Sequence, residues 1–138
     1  MALKVIALIT VVVLSVQDGD TITVKDKNET YKVRMAAIDC PEKKQAHGDV
    51  ATSVTTNMLL GQKVQLRSHK RDLYNRVIAE VYKEDLYINQ YLVQMGHCWA
   101  YMTKDEEMLG LEKQARSLHT GLWIDENPVP PWEFRKKK

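Results

Sequence analysis

The chain has 138 residues, the length of one ordinary domain. Hydrophobic residues make up 44% of it, enough for one core, while six glycines and four prolines are too few for a disordered or collagen-like chain. Lys and Arg number 20 against 18 Asp and Glu, but four of the basic residues form the terminal run 135–138. The rest of the chain therefore carries more acid than base, which excludes a uniformly basic coat for a polyanion.

The N-terminal segment allows two interpretations. Residues 1–4 followed by the apolar residues 5–14 are typical of the start of a secretory signal, but no clear cleavage site follows. Residues 10–16 are better explained as a buried β-strand. Residues 1–9 thus stay open between a signal remnant and an apolar extension. No apolar run reaches the roughly 18 residues that span a bilayer, so no integral membrane span is expected.

Four more strands follow from alternating polar and apolar residues or from short β-rich runs. They are predicted at residues 21–24, 31–34, 63–68 and 77–82. A helix over residues 49–60 separates the third strand from the fourth, with an apolar face of Val50, Val54 and Met58 and with Gly61 to end it.

Two further helices are predicted after the strands, over residues 89–95 and 104–119. The second has Thr103 and Glu106 at capping-box spacing. Its apolar stripe is Met108, Leu111, Ala115 and Leu118. Residues 128–132, P-V-P-P-W, are predicted to be extended and packed through Trp132, because proline breaks helices. The basic tail 135–138 is expected to be a frayed, solvated terminus, with polyanion binding as the alternative.

Five short strands with helices predict a mainly β, α+β domain, a small closed five-stranded barrel of the OB type with three helices. The single domain is expected at residues 10–134, between the extension 1–9 and the tail 135–138.

Charged residues cluster at the predicted strand ends. Asp18-Gly19-Asp20-Thr21 is typical of a type I′ hairpin turn, or alternatively lets Asp20 point a carboxylate at a bound ion. Arg34 ends a strand, and Asp39 and Glu42 lie in the loop that follows, which is either a solvated loop or a source of hard oxygen ligands for Ca2+ or Mg2+.

Residues 72–76, D-L-Y-N-R, form a turn that is either a polar hairpin tip or a phosphate-binding arginine fork, with Tyr74 beside Arg76. Three carboxylates and two arginines of this kind suit phosphodiester hydrolysis. They are Asp20, Asp39, Glu42, Arg34 and Arg76. A cation polarises the phosphate, a carboxylate activates water, and guanidinium groups stabilise the charge of the transition state.

Four blocks in this order resemble the staphylococcal (micrococcal) nuclease family over about residues 12–132. The blocks are VLSVQDGDTITV, VRMAAIDCPE, DLYNRVIAEVY and GLWIDENPVPPWEFR. The resemblance implies a five-stranded OB barrel with three helices. It also implies Ca2+-dependent cleavage of DNA and RNA that leaves 3′-phosphate and 5′-hydroxyl ends.

The resemblance also implies roles for single residues. Asp20 and Asp39 match calcium carboxylates, and Cys40 matches a residue that offers its backbone carbonyl. Glu42 matches the general base or water-orienting carboxylate. The remaining matches are the phosphate-binding arginines Arg34 and Arg76, Tyr74 along the nucleotide, and Tyr101 as a base-stacking tyrosine.

The sequence also departs from the family's pattern. Leu73 stands where the best-known member has a phosphate-contacting lysine, and Asn75 replaces a turn glycine, which asparagine can do because it tolerates positive φ. In the family fold the stretches around Cys40 and Cys98 run close together, so the two residues form either a disulfide or two free thiols.

The alternative to a nuclease is a non-catalytic OB-fold module that binds single-stranded nucleic acid or a protein partner. Non-catalytic members of the family typically lack several of the charged site residues, whereas this chain keeps all five, which favours the enzyme. These residues are Asp20, Arg34, Asp39, Glu42 and Arg76. The chain is expected to be a monomer. A secreted or periplasmic bacterial location is expected from the signal-like start, with a cytoplasmic location left open.

Overall fold

Eight β-strands are present in the computed structural model, which describes residues 8–137, so residues 1–7 of the proposed signal or extension lie outside it. In chain order the strands are β1 Ile9–Asp18, β2 Thr21–Asp26, β3 Glu29–Met35, β4 Ile38–Asp39, β5 Lys63–Arg71, β6 Val77–Lys83, β7 Leu86–Tyr87 and β8 Trp99–Ala100. All five predicted strands are confirmed, each somewhat longer than predicted. The three additional strands have only two residues each, too few to give a periodic signal.

The long strands close into a barrel. Neighbours in the order β3-β2-β1-β5-β6 are antiparallel, and β3 then pairs with β6 in parallel through Val33 opposite Val77 and Arg34 opposite Ile78. This five-stranded closed barrel is the predicted OB-fold. Alternate residues of each strand point inward, so that Ile22, Val24 and Val33 have no exposed surface.

Four helices surround the barrel: α1 Gly48–Leu59, α2 Ile88–Gln94, α3 Glu106–Ser117 and α4 Pro131–Lys136. The three predicted helices exist. Of the predicted apolar face of α1, Val54 and Met58 are half-buried and pack against the core, whereas Val50 is 47% exposed, so its inclusion is wrong. The fully buried side of α1 carries Ala51, Thr55 and Leu59. Thr55 is tolerated there because its hydroxyl donates to the Gly19 carbonyl at 2.7 Å.

The start and stripe of α3 also differ from the prediction. Asp105 is its N-cap and accepts from the backbone of Glu107 at 3.0 Å, so Thr103 and Glu106 form no capping box. Met108 and Ala115 are buried, whereas Leu118 is largely exposed, so the apolar stripe ends one turn early.

The C-terminal segment was predicted as extended, which is wrong from Pro131 onward. Pro131 occupies the first turn of α4, where a missing N–H is harmless and the fixed φ favours the helix. Trp132 packs against Trp99 at a ring distance of 5.4 Å, which confirms the packing role expected of it. The basic tail therefore begins inside a helix rather than in a frayed terminus.

A disulfide joins Cys40 to Cys98, so the first of the two alternatives for these cysteines holds. The hairpin before Thr21 is not a type I′ turn, because neither Gly19 nor Asp20 has positive φ. Within residues 8–137 no helix has the length and apolar character needed to cross a bilayer.

Candidate active site

A groove of about 1060 Å3 opens at one end of the barrel. It is bounded by the β1–β2 turn, the segment after β3, the β5–β6 turn and the C-terminal helix. All eight residues singled out from the sequence line it: Asp20, Arg34, Asp39, Cys40, Glu42, Tyr74, Arg76 and Tyr101. The structure therefore brings together residues that are up to 81 positions apart in the chain.

Asp20 lies at the floor of the groove and is 4% exposed. Its Oδ2 accepts from the backbone N–H of Cys40 at 2.7 Å, and its Oδ1 accepts from the hydroxyl of Thr21 at 3.1 Å. The turn before it needs Gly19, because a Cβ there would lie 3.0 Å from Cβ of Cys40 and 3.1 Å from Cβ of Ala51. The close approach of the turn to Cys40 thus fixes Asp20.

Asp39 lies beside Asp20 and is 1% exposed. Arg34 contacts both carboxylates, with Nη1 3.3 Å from Asp20 Oδ2 and Nη2 3.3 Å from Asp39 Oδ1. Nη1 of Arg34 also donates to the carbonyls of Met35 and Ile38, each at 2.9 Å. These bonds hold the guanidinium in one orientation, so Arg34 is a fixed positive charge between the two acids.

Burial dominates the electrostatics of this pair. It raises the pKa of Asp20 to about 7, although the charge of Arg34 opposes the shift. Burial likewise raises the pKa of Asp39, where hydrogen bonds from Arg135 oppose the shift and the negative charge of Asp20 adds to it. Two adjacent carboxylates that are costly to ionise form a place where extra positive charge is favourable.

Glu42 lines the groove from the loop that follows β4. Its backbone N–H donates to Gln45 Oε1 at 3.1 Å, and the Gln45 amide donates from Nε2 to the Val129 carbonyl. The loop then turns into α1 at Gly48, where a Cβ would overlap the Glu42 carbonyl. The backbone of Glu42 is thus held by a buried glutamine and by a glycine that leaves room for it.

Arg76 enters the groove from the β5–β6 turn. Asp72 organises this turn, because its Oδ1 accepts from the backbone of Tyr74 and Arg76 at 2.9 Å each, and its Oδ2 accepts from Arg76 Nε at 2.8 Å. Asn75 has φ of 61°, as expected for the residue that replaces a glycine. Tyr74 is 79% exposed and lies beside the Arg76 guanidinium, 5.2 Å from ring centre to Cζ.

Tyr101 also lines the groove and stacks on Trp132 at a ring distance of 5.2 Å. The contact of Arg135, three residues after Trp132, with the site was not predicted from the sequence. Its Nη1 and Nη2 bind Asp39 Oδ1 at 3.1 Å and Oδ2 at 2.7 Å. Its only sequence signal was membership of the basic tail, and its partner is 96 residues away. Gln45, which joins the Glu42 backbone to the Val129 carbonyl 84 residues later, was missed for the same reason. Asp72 was recognised only as part of the D-L-Y-N-R turn, and its contact with Arg76 four residues later was missed.

The donor set fits a divalent cation. Asp20 and Asp39 offer hard carboxylate oxygens, which Ca2+ and Mg2+ prefer, and the Cys40 backbone adjoins both. Among residues 8–137 no three His, Cys, Asp or Glu side chains group closely enough to hold a metal by themselves. A cation here would therefore depend on these two carboxylates, a backbone carbonyl, water and substrate.

Buried carboxylates beside fixed guanidinium groups in an open groove are the equipment of an enzyme that cleaves phosphate esters. The family model described as staphylococcal nuclease homologue matches residues 32–125. The chain belongs to the staphylococcal nuclease family. As a member it is a nuclease, a hydrolase that acts on nucleic acid, and the family generally implies a divalent metal.

Several named relatives match most of the chain. A protein named uncharacterized endonuclease from Escherichia coli is 38% identical over 129 residues, which cover 91% of this chain and 84% of the relative. A second uncharacterized endonuclease, from Haemophilus influenzae, is 36% identical and is covered to 72%. A protein named micrococcal nuclease from Shigella flexneri is 36% identical over 137 residues, with coverage of 90% and 79%.

Proposed function

We propose that the chain is a monomeric, Ca2+-dependent endonuclease that hydrolyses DNA and RNA without distinguishing the sugar and leaves 3′-phosphate and 5′-hydroxyl ends. The observation that carries the proposal is the pair of buried carboxylates, Asp20 and Asp39, bridged by Arg34 at the floor of an open groove. The nuclease domain is proposed to span residues 10–134, which include the matched segment 32–125.

Asp20, Asp39 and the Cys40 carbonyl would hold the cation, which supplies charge neutralisation and polarisation of the phosphate. Glu42 accepts a proton from the attacking water, whose oxygen then bonds to phosphorus. The bond from phosphorus to O5′ breaks, and O5′ takes a proton from solvent. These bond changes give the proposed 3′-phosphate and 5′-hydroxyl ends.

Arg34 and Arg76 bind the non-bridging phosphate oxygens and stabilise the additional charge of the transition state. Their own partners support this role. Oδ2 of Asp72 accepts a hydrogen bond from Nε of Arg76 at 2.8 Å, so the guanidinium is oriented before substrate binds. Tyr74 and Tyr101, which both line the groove, contact the nucleotides on either side of the cleaved bond. Neither tyrosine contact depends on a 2′-hydroxyl, consistent with action on both DNA and RNA.

The test is digestion of plasmid DNA and of single-stranded RNA, with Ca2+ and with a chelator. Glu42→Gln should fold normally and lower kcat by about 10²-fold or more, the size expected for loss of a general base. Glu126→Gln is the matched control, because Glu126 is exposed and lies outside the groove. Because polynucleotide kinase phosphorylates 5′-hydroxyl groups, it should label the 5′ ends of the products without prior phosphatase treatment.

Cleavage in the chelator at the full rate would contradict the cation dependence, and wild-type activity of Glu42→Gln would contradict the role of Glu42. No cleavage by the folded protein with any divalent cation would favour the non-catalytic binding module instead.

We also propose a secreted or periplasmic location. The Cys40–Cys98 disulfide supports it, since such bonds persist in oxidising compartments. Fractionation of the producing bacterium with an antibody to the chain tests this, and recovery in the cytosol alone would overturn it.

A further inference from the structure

The C-terminal helix α4 places a third guanidinium in the groove, which the proposed mechanism does not use. Arg135 binds both oxygens of Asp39 at 3.1 and 2.7 Å, which is the strongest form of arginine–carboxylate contact. Asp39 itself is 1% exposed, so its carboxylate is covered while Arg135 is bound to it. The residue is therefore placed directly on a carboxylate that the proposed function assigns to the cation.

Arg135 and a cation require the same atoms. Oδ1 of Asp39 also accepts from Nη2 of Arg34 at 3.3 Å, so three of the roughly four lone-pair sites of this carboxylate are engaged. A divalent cation that binds both oxygens of Asp39 must weaken at least one of these three hydrogen bonds, and two of them belong to the Arg135 fork. The two positive groups also repel each other at close range.

Arg135 can leave Asp39 without unfolding anything. Its side chain is 40% exposed, in contrast to 14% for Arg34. The helix that carries it is held independently, because Trp132 packs on Trp99 and Tyr101 and the Val129 carbonyl accepts from Gln45. A rotation about the side-chain bonds of Arg135 moves the guanidinium along the rim of the groove while α4 stays in place.

The charge balance indicates where Arg135 goes. Asp20, Asp39 and Glu42 with Arg34 and Arg135 sum to a formal charge of −1, and a divalent cation raises the local charge to +1. Phosphodiester groups each bring one negative charge. Tyr101, which the proposed function places along the path of the strand, lines the groove close to Arg135. A displaced guanidinium beside this path finds its next partner in a phosphate.

We propose that Arg135 competes with the divalent cation for Asp39 and, once displaced, binds a substrate phosphate at the rim of the groove. This inference rests on the proposed function in placing the cation at Asp39. Cation binding and strand binding are then coupled through one side chain, because the cation frees the arginine that grips the strand.

The first experiment measures Ca2+ binding by calorimetry, without substrate. Arg135→Gln should bind Ca2+ about tenfold more tightly than the wild type, which corresponds to about 1.4 kcal/mol. Arg135→Lys should lie between the two, since an ammonium cannot form the fork. Lys136→Gln is the matched control, because it removes the same charge from the next residue, which pairs with Glu133 instead.

Asp39→Asn separates this proposal from the one it rests on. If Asp39→Asn binds Ca2+ as tightly as the wild type, the assignment of the cation to Asp39 fails, and this inference fails with it. If Asp39→Asn loses binding while Arg135→Gln equals both the wild type and Lys136→Gln, only the competition is overturned.

The second experiment measures binding of a fluorescent single-stranded oligonucleotide in the Glu42→Gln background, where cleavage is suppressed. Adding Arg135→Gln should weaken binding roughly fivefold with Ca2+ and less than about twofold in a chelator, where Asp39 still holds the arginine. Lys136→Gln should change binding equally in both conditions. An equal loss for Arg135→Gln with and without Ca2+ would overturn the transfer to phosphate.

Discussion

Removal of the Cys40–Cys98 disulfide should lower the free energy of unfolding by about 4 kcal/mol. The two cysteines are 58 residues apart in the chain. Closing a loop of that length removes about 14 cal/mol/K of entropy from the unfolded chain, which gives this figure at 25 °C. For a domain of this length the loss corresponds to a decrease in Tm of about 12 °C.

Urea unfolding of the oxidised protein, the reduced protein and the double variant Cys40→Ala/Cys98→Ala measures the effect. Alanine is preferred to serine because both cysteines are buried, and a hydroxyl there would lack a partner. The reduced protein and the double variant should agree, and reductant should not change the variant further. A decrease below about 1 kcal/mol would refute the loop-closure reasoning, and two free thiols in the unreduced, denatured protein would refute the bond itself.

Three other predictions concern the loop before α1, the β5–β6 turn and a pair of half-buried histidines. Gly48→Ala should lower kcat by more than its loss of stability explains, because a Cβ there would push the Glu42 carbonyl. The measurement is the ratio of the change in kcat to the change in Tm. This ratio should be larger than in the control Gly110→Ala, whose glycine is exposed. Leu73→Lys should strengthen binding of a nucleic-acid strand about threefold at low salt. The slope of the logarithm of the binding constant against the logarithm of the salt concentration should become steeper by about one, which titrations at several salt concentrations measure. Leu73 is 99% exposed, so the fold should be unaffected, and an unchanged salt slope would contradict the role of this position. Burial lowers the pKa of His47 and His97, whose ring nitrogens Nε2 and Nδ1 lie 3.0 Å apart. The unfolded chain therefore binds more protons, and stability should fall as pH drops below the ordinary value of 6.5. Urea unfolding at pH 7.5 and 5.5 should show a smaller decrease in His97→Gln, and an equal decrease would assign the pH dependence to other groups.

The barrel could be predicted because its information is local. Residues 21–24 and 31–34 alternate between polar and apolar side chains, and the structure buries Ile22, Val24 and Val33 accordingly. Helix faces were less certain where polar residues have buried partners. Thr55 packs inward only because the Gly19 carbonyl, 36 residues earlier, accepts its hydroxyl proton. No periodic pattern within α1 contains that information.

The same distinction applies to the site. Asp20, Asp39 and Arg76 stand at strand ends, so a barrel prediction already brings them to one opening. Arg135 depends on a six-residue helix whose position is set by the stacking of Trp132, a tertiary contact. Gln45 depends on a carbonyl 84 residues away. Side chains that act across such distances have no local signal, although Arg135 binds Asp39 and Gln45 holds the backbone of Glu42.

The parallel pairing of β3 with β6 has a consequence for the newly made chain. It joins Val33 to Val77, and the strands that it joins carry Arg34 at the end of one and Arg76 just before the other. Like the β1–β5 pairing, which joins Ile9 to Leu66, it is a long-range contact that local structure cannot form alone, whereas the other barrel pairings are hairpins. Arg34 and Arg76 come together at one opening of the barrel only when it forms. A polypeptide still emerging from the ribosome, with β6 not yet made, therefore has no assembled groove.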